Sequence, residues 1–219
     1  SAATTRTTPD YERKLVGVIL YHHLANAYWP EGSEYDDNVP PFCQSFDGKQ
    51  GYGEPGGVCA ACAFNEFGST ANGSGKACKN MRQIYLLRSG EYLPLQLSLP
   101  TTSLRPFNDF MNLAFVARRR PSYSAIVEIG LKRAESGGYT YSVATFRKVQ
   151  DLEGEGLAAV KSYAANFKEQ VKSLLAQRVE NYKSDVESLT GTAPLELADN
   201  GDHFSYPGVI DGERDELPL

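Results

Sequence analysis

The feature that most constrains the fold is a cluster of four cysteines in one glycine-rich segment. Cys43, Cys59, Cys62 and Cys78 follow the pattern C-x15-C-x2-C-x15-C. The stretches between them, such as "GYGEPGG" and "GSTANGSGK", carry little apolar surface. A segment of this composition buries too little apolar surface to offset the conformational entropy that it loses on folding. Cross-links or a bound metal must therefore order it.

The cysteine spacing favours a metal. A C-x2-C pair offers two thiolates across a tight turn, and the two flanking cysteines complete the tetrahedral set that zinc prefers. Disulfides are less favoured, because the N-terminus "SAATTRTTPD" has no apolar signal segment and cytosolic thiols stay reduced. A thioredoxin-like CxxC would need a βαβ pattern, which this sequence lacks. The sequence therefore predicts structural Zn²⁺ on all four cysteines, with no position left for a catalytic water.

Hydrophobic periodicity outside this segment predicts strands, with one helix among them. Strands are expected at 14–24, 82–87 and 91–99, and the leucines of the third alternate with polar residues or proline. A helix is expected at 101–119, with Thr102 or Ser103 as its cap and Pro106 near its first turn. Its apolar face is Phe107, Phe110, Met111, Ala114 and Phe115.

The second half of the chain predicts a hairpin and a long helix. Two strands, at 124–134 and 139–150, flank a turn at Gly137-Gly138. An amphipathic helix follows at 156–183. It can pack on the sheet or pair with a second copy, and its pattern alone fits both.

The order of these elements matches an OB-fold, a five-stranded barrel with its helix between strands three and four. The fold class is therefore mainly β with helices: an OB-fold barrel with a zinc-binding loop insertion and a long C-terminal helix, although another α+β arrangement fits the same order. The expected divisions are a disordered N-terminus at 1–10, an OB-fold domain at 11–152 with the insertion at 43–80, a helix at 153–186 and a flexible acidic tail at 187–219.

The charge is distributed unevenly. The chain has a net charge of −5, but residues 190–219 hold seven acids and one base. Residues 76–148 hold twelve bases and four acids, a net charge of +8. A basic middle beside an acidic tail indicates a polyanionic partner, and a solvated surface of mixed charge is the plain alternative.

Single strands are bound by basic grooves interleaved with aromatic rings on which bases stack. The predicted contacts are the bases and tyrosines of the middle region: Lys76, Lys79, Arg82, Tyr85, Arg88, Arg118, Arg119, Arg120, Tyr123, Lys132, Arg133, Tyr139, Tyr141, Arg147 and Lys148. Aromatic residues near the cysteines are further candidates: Tyr28, Trp29, Tyr52, Phe64 and Phe67. For any one of these rings, packing in the core is an equal alternative.

The sequence predicts no enzyme. His22 and His23 are adjacent in a predicted strand, so they point to opposite faces and cannot form one site. No Ser-His-Asp pattern, paired carboxylates or H-x-E…C-x-x-C deaminase signature is present in the sequence.

The ending "DGERDELPL" resembles the acidic tip of bacterial and phage single-stranded DNA-binding proteins, although Leu219 stands where the bacterial form has Phe. The stretch "CAACAFNEFGSTANGSGKACKNMRQIYLLRSGEYLPLQLSLP" is similar to phage and prophage proteins that we place in the same class. A zinc-bearing OB-fold also resembles phage helix-destabilising proteins, whose metal ligands differ in spacing and include His. The tail residues that carry the first resemblance are Asp215, Glu216, Leu217, Pro218 and Leu219.

This resemblance implies a protein that coats single-stranded DNA in phage or prophage replication or recombination. It implies that the tip at 215–219 recruits replication or recombination proteins. It also implies a cytoplasmic location in a bacterial host, no membrane partner and scope for self-association. The alternatives are a zinc-containing protein-interaction or scaffold module and, less favoured, a nucleic-acid-processing enzyme.

Overall fold

The structure, a computed structural model, describes residues 13–30 and 39–190. The predicted disordered N-terminus at 1–10 and the predicted docking tip at 215–219 lie outside these residues. Within them the chain is mainly β-sheet with two helices, the second long and C-terminal, which confirms the coarse fold class. No helix in these ranges is both long and apolar enough to cross a bilayer.

The elements follow in the predicted order, with three short strands added in the cysteine segment. They are β1 (Lys14–Tyr28), β2 (Cys43–Ser45), β3 (Gln50–Gly53), β4 (Gly57–Val58), β5 (Lys79–Leu87), β6 (Leu95–Leu99), α1 (Thr101–Met111), β7 (Ala125–Ser136), β8 (Tyr139–Asp151) and α2 (Gly154–Thr190).

Strand β1 is the centre of the sheet, and all its pairings are antiparallel. On one edge it pairs with β5 along residues 18–27. On the other edge it pairs with β7 along 14–18 and with β2 along 26–28. Because β6 pairs with β5 and β8 with β7, the main strands run in the order β6-β5-β1-β7-β8. Within the described residues no ladder joins β6 to β8, so the sheet does not close into a barrel.

A β-bulge divides β1. The register with β5 shifts between Ile19 and Tyr21, which leaves Leu20 as an extra residue. Leu20 packs on the outer face with Val18, while Ile19 lies in the inner core.

The inner core lies between the sheet and α1. The predicted apolar face of α1 and the turn after it is confirmed, since Phe107, Met111, Ala114 and Phe115 are buried there. Phe110 packs against the same cluster. After Met111 the helix widens into a π-helical turn at Asn112–Val116, so the predicted helix 101–119 is α-helical only as far as residue 111.

Two local predictions are wrong. The strand predicted at 91–99 begins only at Leu95, because Pro94 has no backbone N–H to donate to a ladder. Ser103 does not cap α1, which begins after Pro100. The Ser103 hydroxyl is buried and accepts a hydrogen bond from the backbone N–H of Ala144 in β8 at 2.9 Å. This bond fastens α1 to β8 near the place where the sheet stays open.

Helix α2 packs on the outer face of the sheet and forms a second core there. Val160, Ala164 and Phe167 contact an apolar patch that includes Val18 and Leu20 of β1. Of the two uses the sequence allowed for this helix, packing on its own sheet is therefore the one observed.

His22 and His23 point to opposite faces, as predicted. His22 contacts the core ring of Phe107 edge-on, with centroids 5.2 Å apart. Burial lowers the pKa of His22 from 6.5 to about 4, and the charge of Arg82 adds to the effect. His23 faces outward beside Tyr21 and Tyr85.

The lowered pKa of His22 predicts that the folded protein loses stability in acid. Since the unfolded chain binds a proton near pH 6.5 and the folded chain does not until about pH 4, stability falls as the pH drops through this window. The full effect is on the order of 3 kcal/mol. Urea unfolding of the wild type and of His22→Gln at pH 7.5 and 5.0 should show a smaller pH-dependent loss in the variant. Equal losses in the two proteins would contradict this assignment.

Candidate metal centre and nucleic-acid interface

All four cysteines line one small cavity in the segment between β1 and β5. The cavity has a volume of about 10 Å³ and is also lined by the rings of Tyr28 and Phe64. A volume of this size holds roughly one water-sized atom, which excludes an organic ligand. The four residues are free thiols. The donor set, four thiols around space for a single ion, fits structural zinc.

Two of these thiols, Cys43 and Cys78, resist ionisation. Burial raises the pKa of Cys78 to about 11, and the other three thiols add to the shift, because neighbouring thiolates would repel one another. Burial also raises the pKa of Cys43, against hydrogen bonds from the backbone N–H groups of Gly56 and Tyr52. Only a cation can make several thiolates stable in so small a space.

The local backbone explains how the cysteines come to line one cavity. Cys59 begins a single 3₁₀ turn, and the backbone N–H of Cys62 returns to its carbonyl at 3.4 Å, which forms the tight turn expected of C-x2-C. Gly51 lies against Cys43, where a Cβ would stand 3.0 Å from the Cys43 Sγ. A side chain at position 51 would therefore displace the thiol.

As the side chains stand, no three His, Cys, Asp or Glu residues in the described ranges are close enough together to hold a metal. The thiols share a cavity without ligand-like contact. The cysteine pattern and the shared cavity are the observations that favour a metal here.

A wide groove adjoins the cavity that the four cysteines line, and Cys78 borders both. It has a volume of about 600 Å³, and we call it the insertion groove. Its lining is Phe67, Thr70, Asn72, Ser74, Gly75, Lys76, Cys78, Lys79, Asn80 and Thr101. Phe67 is 79% exposed, so its ring is not used in packing.

Hydrogen bonds hold the walls of the insertion groove in place. The Asn65 side-chain oxygen accepts from Lys76 Nζ at 3.3 Å and from Asn80 Nδ2 at 2.9 Å. The hydroxyl of Thr101, the first residue of α1, donates to the Asn80 carbonyl at 2.9 Å. Two predicted contacts, Lys76 and Lys79, are thus brought together with an exposed aromatic ring.

The β7–β8 hairpin carries a second group of predicted contacts. Its turn at Gly137-Gly138 has positive φ at both glycines, as a type I′ hairpin turn requires. Strand alternation and register place Lys132, Tyr139 and Tyr141 on one face, with Arg133 on the other. Tyr139 is 78% exposed.

The bases after α1 and on β8 are mostly engaged within the protein. Arg120 donates to the carbonyls of Ser124 and Leu152 at 3.1 and 3.0 Å. Arg120 and Lys148 both pair with Asp151. Arg147 pairs with Glu128. By contrast, Arg118 and Arg119 are exposed, and Tyr123 packs beneath α2.

Three further predicted contacts, Arg82, Tyr85 and Arg88, lie on β5 or directly after it and do not line the insertion groove. The Arg82 guanidinium lies 5.7 Å from the centre of the Phe107 ring, on the side of α1. Tyr85 is 9% exposed and packs edge-on against Phe167 of α2. Arg88 forms an ion pair with Glu91 in the turn after β5.

The sequence pattern places Phe67 on a par with the other aromatic candidates. A signal was present, because Phe67 stands in the polar stretch "NEFGSTANGSGK" with no apolar neighbour to pack against. Phe64, three residues earlier, stacks on Tyr28 with ring centroids 4.3 Å apart, and both residues line the cysteine cavity.

Comparison of the chain with protein-family models, with curated proteins and with solved structures finds no match in any of the three.

The candidate metal centre predicts the zinc content of the protein and the pH dependence of its zinc affinity. Purified full-length chain should carry close to one zinc, about one per chain, by elemental analysis. Cys62→Ser should lower the content, while Ala60→Ser in the same turn should not. Because each bound thiolate releases a proton, zinc affinity measured against a chromogenic chelator should rise between pH 6 and pH 8. A content below about half a zinc per chain with intact thiols would exclude the site.

Proposed function

We propose that this chain is a single-stranded DNA-binding protein built on an OB-fold, with a structural zinc that orders its insertion. The observation that carries the proposal is the insertion groove, where an exposed Phe67 lies with Lys76 and Lys79 in one concave surface. Stacking rings beside cations are what single strands require, whatever their sequence.

The strand order supports an OB-fold. Numbered as OB strands one to five, β1, β5, β6, β7 and β8 give the neighbours 3-2-1-4-5, with α1 between strands three and four. An OB-fold is a partly open barrel, so the missing ladder between β6 and β8 is compatible with it. Helix α1 covers that side through the Ser103 bond and the contact of Phe107 with Phe146.

The two candidate surfaces lie in the loops that this fold uses for oligonucleotides. Such ligands bind across strands two and three and the loops between strands one and two and between four and five. In this chain the first loop is the insertion with Phe67, and the second is the hairpin turn beside Tyr139. Several bases near the strands are already ion-paired, but exposed pairs are weak and can exchange a carboxylate for a phosphate.

Zinc supports this function indirectly. With four protein ligands it supplies folding energy and performs no chemistry on DNA. Cys78 lines both the metal cavity and the insertion groove, so a metal that fixes this cysteine also fixes one wall of the groove.

The insertion groove can be tested with fluorescence anisotropy on labelled oligo-dT. Phe67→Ala should weaken binding by roughly 5- to 150-fold, the effect of about 1–3 kcal/mol for one lost stacking partner. Lys79→Gln should reduce the slope of log affinity against log salt by about 1. Leu174→Ala and Lys161→Gln, which change exposed residues on α2, are the matched controls and should bind like the wild type. Equal affinity of the wild type for oligo-dT and duplex at moderate salt would refute the proposal.

The acidic tail is proposed to act in two ways. Its charge opposes that of the basic middle, so it can compete with DNA for the basic surfaces. Its tip at 215–219 is proposed to recruit replication or recombination proteins. Deleting residues 211–219 should therefore leave oligo-dT affinity equal or higher and abolish partner capture. Weaker DNA binding at unchanged unfolding free energy would contradict this role.

A further inference from the structure

Helix α2 is attached to the rest of the protein at two separated places. Its first half packs through Val160, Ala164 and Phe167 on the outer face of β1 and its neighbours. Its second half contacts the insertion, where the Tyr182 ring lies 6.0 Å from that of Tyr52. Tyr182 is so close to β3 that a Cβ at Gly53 would stand 2.8 Å from its hydroxyl. Between these attachments Val171 is also buried, and beyond it α2 covers an open space.

This space is a cleft of about 450 Å³, which we call the α2 cleft. Ligand sites in proteins are commonly about 300–1,000 Å³ in volume. The floor and one wall come from the sheet and the insertion, and the roof comes from α2. The lining residues are Tyr21, His23, Leu24, Phe46, Asp47, Lys49, Tyr52, Arg82, Lys172, Leu175, Ala176 and Val179.

The floor of the α2 cleft is aromatic. The rings of Tyr21 and His23 lie 5.8 Å apart at 29°, and Tyr85 lies behind them, 6.3 Å from Tyr21 at 14°. His23 Nδ1 donates to the Leu24 carbonyl at 2.9 Å, so its Nε2 accepts from the Tyr85 hydroxyl at 3.4 Å. Burial lowers the pKa of His23, so the ring is neutral and suited to stacking.

The rim of the α2 cleft is basic. Lys49 lies on the insertion side and Lys172 on the helix side. Lys172 is paired only with Glu169 among the contacts described for it, at 2.8 Å on an exposed surface, so a phosphate can displace that partner. The one carboxylate in the lining, Asp47, already accepts from the Ser45 hydroxyl and from the backbone N–H groups of Lys49 and Gln50.

The floor of the α2 cleft continues across the sheet. His23 pairs with Gln83 of β5, and Gln83 pairs with Ser98 of β6, so these three side chains form a row on one face. The Gln83 side chain donates to Ser98 Oγ at 3.0 Å. This polar row leads from the cleft to β6, over the two strands that an OB-fold uses for oligonucleotides.

We infer that the α2 cleft binds one nucleotide unit of the single strand, with its base against Tyr21 and His23 and its phosphate between Lys49 and Lys172. This inference rests on the proposed function and extends the strand's path beyond the insertion groove to a site roofed by α2. A free nucleotide has the same chemistry, and the experiment separates the two sources.

The first measurement is photo-cross-linking of full-length, zinc-supplemented protein to oligo-dT that carries 5-iodo-2′-deoxyuridine, with the cross-linked peptides identified by mass spectrometry. Cross-links at Tyr21, His23 or Tyr52 are expected in addition to those at Phe67. Cross-links confined to Phe67 and the hairpin would overturn the inference and leave the proposed function standing.

The second measurement is oligo-dT affinity at several salt concentrations. The double variant Lys49→Gln/Lys172→Gln should bind several-fold more weakly, with a salt slope smaller by about 2. Lys183→Gln is the matched control, because Lys183 pairs with Glu180 across the same helical spacing as Lys172 with Glu169. An unchanged slope in the double variant would overturn the inference.

The third measurement uses thymidine monophosphate alone. Saturable binding of this nucleotide that is lost in the double variant, together with unchanged oligo-dT affinity, would assign the cleft to a free nucleotide and overturn the strand assignment. If the wild type does not bind oligo-dT at all, the proposed function itself is wrong. If the wild type binds oligo-dT but the first two measurements show no contact at the α2 cleft, only the cleft inference is wrong.

Discussion

The main-chain hydrogen bonding of β1 is the constraint on which the other elements depend. This strand pairs along both edges, with β5 on one side and with β7 and β2 on the other. At Gly17 the backbones of β1 and β5 approach closely, because a Cβ there would stand 2.4 Å from the Leu87 carbonyl oxygen. The inner face of β1 receives the core under α1, its outer face receives α2, and its C-terminal end leads into the cysteine segment. Each candidate surface is therefore positioned by this one strand.

Much of the fold could be predicted, because periodicity reports which side of an element is buried. Periodicity predicted the buried face of α1, and the two adjacent glycines predicted the turn at Gly137-Gly138. The bulge at Leu20 was not, and it matters: simple alternation from Val18 would place His22 outward and His23 inward, the reverse of what is observed. A bulge is set by pairing with a distant strand, so the local pattern does not encode it. The role of Ser103 was not predictable for the same reason, since its hydrogen-bond partner Ala144 is distant in sequence.

The candidate sites also divide into features that the local sequence pattern predicts and features that depend on distant contacts. Ligand spacing is a local property, and it singled out the four cysteines that line one cavity, while zinc on them stays a prediction. The insertion groove and the α2 cleft depend on contacts between segments far apart, such as Tyr52 with Tyr182. The net charge of the sequence reveals the basic region, but it does not show which basic side chains already form ion pairs or hydrogen bonds within the protein. Arg120, for example, ties the chain after α1 to the end of β8 through two carbonyls.

The open side of the sheet has a consequence for solubility. An unpaired edge is a template on which other chains can add strands and aggregate. Within the described residues β6 forms a ladder on one side only, yet it spans just Leu95–Leu99 and lies between Pro94 and Pro100. A short edge with a proline at each end offers few consecutive donors to a foreign strand. Along β6, therefore, the open side of the sheet gives a foreign chain little backbone to pair with.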